Sequence, residues 1–109
     1  MLFRLLIPFL FLGIALTSRA KAEGEGASRI RFAGGDGSSV QQAVIVKGAT
    51  EATGVPAEYS WLSRKFGGYK MERQSVRSQG GRHYDVIEII TIDGDKRSVF
   101  FDITEFFGK

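Results

Sequence analysis

The clearest periodicity in the chain lies in residues 50–68. Val55, Tyr59, Leu62 and Phe66 recur there at helical spacing and line one face. The spacing predicts an amphipathic helix that starts between residues 51 and 56. Pro56 suits its first turn, and Thr50 or Thr53 supplies a capping oxygen for the free N–H groups. Arg64 and Lys65 lie in the last turn, where the helix dipole favours positive charge, and Gly67-Gly68 ends the element.

From residue 69 the period changes to two. Residues 69–78 (YKMERQSVRS) predict a polar strand, followed by a turn at Gln79-Gly80-Gly81-Arg82. Residues 83–92 (HYDVIEIITI) form the strongest strand signal, with Tyr84, Val86, Ile90 and Ile92 on one side and Ile87 and Ile89 on the other. Asp93-Gly94 predicts a tight primed hairpin, and residues 97–107 return as a strand. Val99, Phe101 and Ile103 then face the helix, while Phe100, Asp102 and Thr104 face away.

Before the helix, Ala43-Val44-Ile45-Val46 in residues 40–47 reads as a strand covered on both sides, stopped by Gly48. The predicted order is β-α-β-β-β. The short C-terminal connections demand antiparallel pairing. The fold class is therefore α+β: a two-layer sandwich with one amphipathic helix on a four-stranded, mainly antiparallel sheet. Trp61, Phe66, Phe100 and Phe101 are the leading aromatic core candidates.

The N-terminal third has a different character. Arg4 precedes an apolar run at residues 5–16, and Ala20-Lys21-Ala22 gives the small-x-small pattern of a signal peptidase site. The run is too short for a stable membrane helix, which takes about 20 residues. Residues 1–22 are expected to be a cleavable signal peptide, leaving no stable membrane anchor, with the mature chain starting at Glu23. Residues 23–38 read as an irregular glycine-rich leader, in which Arg29-Ile30-Arg31-Phe32 alternates well enough for a short edge strand. Residues 39–109 form the single domain. An exported chain without cysteine suits a bacterial periplasm or secretome.

Charge changes the picture once the export segment is set aside. Removing Arg4, Arg19 and Lys21 from the 15 basic residues leaves twelve, against 12 acidic ones. The mature chain is formally neutral, which disfavours a nucleic-acid partner. The absence of cysteine excludes disulfides, thiolate metal sites and cysteine nucleophiles.

Candidate chemistry is sparse. The single histidine, His83, shares a strand side with Asp85, and Ser75 or Ser78 on the neighbouring strand could supply a nucleophile for a small hydrolase. No G-x-S-x-G elbow accompanies them. Asp93 and Asp95 suit a hairpin rather than a calcium loop. The glycine cluster at residues 34–38 lacks the Lys and following helix of a phosphate-binding loop. No catalytic residue, metal ligand or cofactor is assigned. Basic residues Lys70, Arg73, Arg77 and Arg82 gather around the first strand after the helix, and Arg73 and Arg77 share its parity while Lys70 does not. Four phenylalanines within residues 100–107 exceed what one helix can cover.

The segment Gln74-Ser75-Val76-Arg77-Ser78-Gln79-Gly80 at a hairpin resembles the Gln-x-Val-x-Gly wedge of the cystatin inhibitors. The glycine comes two positions late, and Asp93-Gly94 stands where the second inhibitory hairpin carries Pro-Trp. The resemblance implies a helix packed on a sheet and inhibition of a protease. The leading expectation is an exported, non-catalytic module that binds a protein or an envelope component. The expected contact surface is the outer sheet face, through Phe100, Ile87, Ile89, Arg73 and Arg77.

Overall fold

The computed structural model describes residues 29–109. The expected signal peptide, residues 1–22, and the first part of the expected leader lie outside the described residues. The ordered elements are strands β1 (Arg31–Gly34) and β2 (Val44–Lys47), helix α1 (Glu51–Phe66), and strands β3 (Tyr69–Gln79), β4 (Arg82–Thr91) and β5 (Lys96–Asp102). They form one α+β domain with a five-stranded mixed sheet in the order β1-β2-β5-β4-β3.

Helix α1 forms where its sequence pattern requires. Thr50 caps it: Thr53 N donates to Thr50 Oγ1 at 3.3 Å, and Thr50 N donates back to Thr53 Oγ1 at 2.9 Å. Gly67 closes the far end at φ 73°, donating its N–H to Ser63 O. Leu62 is fully buried against Ile87, Ile89 and Phe101, and Trp61 meets the Phe101 ring edge-on at 5.4 Å.

The sheet departs from four mainly antiparallel strands in two ways. First, Arg31–Gly34 adds a fifth strand, antiparallel to β2, so part of the glycine-rich leader belongs to the sheet. Second, β2 pairs parallel with β5, through Val44↔Phe101 and Ile45↔Asp102. The crossover from β2 through α1 to β3 passes over two strand positions, which β4 and β5 then fill from the edge inward. Chain proximity required only that β3, β4 and β5 pair antiparallel, as they do.

The β4–β5 hairpin corrects the expected facing. Only Gly94 has positive φ, at 87°, and its N–H donates to Thr91 O, while Thr91 N donates to Asp95 O. The loop is thus the three residues Ile92-Asp93-Gly94, not a two-residue primed turn. That single residue shifts the register by one and exchanges the faces. Ile87 lies opposite Val99 and Phe100 opposite Val86. The face beneath α1 therefore carries Ile87 and Ile89, and the outer face carries Tyr84, Val86 and Phe100.

After β5 the chain turns rather than continuing to Phe107 as a strand. Asp102 Oδ1 accepts from Thr104 N and Thr104 Oγ1, and Ile103 O accepts from the N–H groups of Phe106 and Phe107. The turn drives Phe106 into the core against Gly54, where a Cβ would stand 2.3 Å from the ring. Glycine inside this helix is what admits the aromatic ring.

Candidate binding surface and a buried carboxyl pair

The outer face of the sheet is built by strand alternation. Phe32 and Val46 point toward α1, so Arg31 and Lys47 point outward, and the β4–β5 register places Arg82 and Lys96 on the same side. On β3 a bulge intervenes: Met71 pairs with Ile89, but Arg73 pairs with Glu88. The extra residue brings Lys70 onto the face that holds Arg73 and Arg77, completing a basic stripe that strict alternation divides. Cations from all five strands thus share one open surface, across about 19 Å at ~4.8 Å per strand spacing.

Three of these cations are neutralised in place. Arg73 pairs with Glu88 at 2.7 Å, Arg82 with Asp102 at 2.6 Å, and Lys96 approaches Glu72 at 3.9 Å. Burial alone would raise the Asp102 pKa, but hydrogen bonds from Thr104 and Arg82 hold it below the usual carboxylate value. Among the described residues, Arg31, Lys47, Lys70 and Arg77 have no carboxylate at ion-pair distance. The face keeps an excess of positive charge although residues 23–109 together are formally neutral.

The expected contact residues fall into two groups. Arg73, Arg77 and Phe100 come together on the outer face, with the Arg77 guanidinium 5.5 Å above the Phe100 ring. Phe100 is half-buried there beside Ala43, Tyr84 and Val86. Ile87 and Ile89 are separated from them: both have 0% exposure beneath α1, so neither can contact a partner. Their removal from the surface follows from the one-residue register described above.

The hydrolase residues do not assemble into a relay. His83 and Asp85 share a side as alternation demands, but His83 Nδ1 lies 2.6 Å from Ser78 Oγ, and its ring lies against Phe107. Asp85 Oδ2 instead accepts from Gln74 Nε2 at 2.7 Å, and Gln74 Oε1 accepts from Tyr59 Oη at 2.7 Å. Ser75 pairs opposite Val86 and projects outward. Gln74, the first residue of the wedge-like segment, is therefore tied inward rather than presented at the hairpin tip, where Gly80 and Gly81 form the turn.

The sequence reading missed Glu58, which has 0% exposure beside Asp85 at 3%. Loss of hydration is the main cause that pushes the Glu58 pKa up to about 10, and the neighbouring Asp85 carboxyl adds to it. Glu58 thus keeps its proton at neutral pH. Both Glu58 oxygens and Asp85 Oδ1 are buried without a hydrogen-bond partner among the described residues. The signal was present in the sequence: Glu58 lies three residues after Val55 and four before Leu62, on the apolar stripe itself.

The chain matches no protein-family model, no curated protein and no solved structure.

Proposed function

We propose that this chain is an exported, non-catalytic binding module whose outer sheet face docks an extended anionic partner of the bacterial envelope, an acidic polysaccharide. The observation that carries the reading is the segregation of charge: Arg31, Lys47, Lys70 and Arg77 stand without carboxylate partners on one open face, around the half-buried Phe100. A flat, charged surface of this width suits a ligand that neutralises several cations at once. Such binding is strongly salt-dependent, because the Debye length contracts from about 10 Å at 0.1 M to about 3 Å at 1 M.

Retention on immobilised polygalacturonate tests this, with dextran as the uncharged control. The mature protein should bind at low salt and elute as sodium chloride rises. Lys70→Glu with Arg77→Glu should abolish retention while leaving circular dichroism unchanged, because both side chains are exposed. Equal behaviour on both columns, or full retention by the double variant, would refute the reading. Capture by an acidic protein but not by the polysaccharide would move the partner to a protein surface.

A further inference from the structure

A second feature lies on the other side of the sheet and stands independently of the basic face. A cavity of about 240 Å³ opens between the first turns of α1, the edge strand β3 and the C-terminal turn. Its walls are largely apolar, from Val55, Val76, Ile103 and Phe106, with Glu51 at the α1 side and Asp85 contributed by β4. No lysine, arginine or histidine lines it. At this volume, below the ~300–1,000 Å³ of sites that enclose drug-sized ligands, it accommodates one side-chain-sized group.

The polar end of the cavity carries carboxyl groups and no cationic side chain. Asp85 is 3% exposed, and its Oδ1 has no hydrogen-bond partner while Oδ2 is held by Gln74. Its buried neighbour is the protonated Glu58, which can share a proton but brings no positive charge. No ion pair involving Asp85 or Glu58 exists among the described residues. Buried carboxylates are ordinarily paired with a cation or coordinated to a metal. Among the described residues no three His, Asp or Glu side chains gather closely enough to share a metal ion. An organic cation with an apolar stem meets both the carboxylate and the walls.

We infer that this cavity binds a primary alkylammonium group, its stem between Val55, Val76 and Phe106 and its charge directed to Asp85. The group can arrive as a free alkylamine or as a lysine side chain. The second source has a route: Gln74, Ser75 and Val76 form one wall, and β3 is a sheet edge, so an extended peptide could pair with its outer backbone groups.

Three probes at pH 7 test the inference on the mature protein: n-pentylamine, its neutral counterpart n-pentanol, and a blocked Val-Thr-Lys-Thr-Val peptide. Amide NMR shifts at residues 74–76 and 103–107 report occupancy, and calorimetry gives the affinities. Pentylamine should bind saturably and at least tenfold more tightly than pentanol. Asp85→Asn, close in shape, should weaken pentylamine at least tenfold. Val76→Lys, at a position 52% exposed, should block the cavity without disturbing the core. Tighter binding of the peptide than of pentylamine would assign the group to a lysine side chain, and the reverse would assign it to a free amine; both support the cavity's chemistry. Equal binding of pentylamine and pentanol, absence of saturable shifts, or unchanged affinity in folded Asp85→Asn and Val76→Lys proteins would overturn it.

Discussion

Replacing Glu58 by glutamine should make the protein more stable at neutral pH, and increasingly so as pH rises. Glu58 has a folded pKa of about 10, against an ordinary value of 4.5. Between those values the native state holds a proton that the unfolded state releases, so stability falls as pH rises. A fully retained proton gives a slope of about 1.4 kcal/mol per pH unit, so about 4 kcal/mol is lost between pH 5 and pH 8. That is a large part of the ~5–15 kcal/mol total of an ordinary domain. Glutamine removes the titration and supplies N–H donors for Asp85. Urea unfolding followed through Trp61, the single tryptophan, measures both proteins at pH 5, 6, 7 and 8. Every other titrating group contributes to both proteins, so the difference in unfolding free energy isolates Glu58. The expected difference grows in favour of Glu58→Gln with each unit. A difference that stays flat from pH 5 to 8 would show that Glu58 ionises normally in the folded state and would refute the argument.

Two further outcomes follow from the packing. Gly54→Ala should destabilise by about 1–3 kcal/mol through overpacking against the Phe106 ring, although helix propensity alone favours alanine by about 1 kcal/mol. Urea melts decide the sign, and Phe106→Leu in the same chain should recover part of the loss. Leu62→Ala should cost about 2–5 kcal/mol in the same assay, since Leu62 is wholly buried between α1 and the sheet. A loss below about 0.5 kcal/mol would contradict the packing of helix on sheet, given the usual range for such a truncation.

Much of this architecture was legible along the chain because it rests on local rules. The helix follows from the spacing of Val55, Tyr59, Leu62 and Phe66, and its ends from Thr50 and Gly67, each acting within one turn. The turn at Gly80-Gly81 and the antiparallel meander follow from short connections and from residues that accept positive φ. The shared side of Arg73 and Arg77 on β3, and the opposition of Phe100 to Val99 and Phe101 on β5, follow from the same local alternation. What strand alternation could not supply was registry between strands. A third loop residue at Ile92 and one bulge near Glu72 each count as a single residue along the chain, yet each reverses the side on which a strand's residues fall relative to its neighbour. The loop residue sent Ile87 and Ile89 into the core, and the bulge brought Lys70 to the basic face. The parallel β2–β5 pairing and the meeting of Glu58 with Asp85 join segments that are distant in sequence and leave no local periodic trace. They were decided by tertiary packing, because only the assembled layers bring those backbone groups and carboxyls together and remove the water around them.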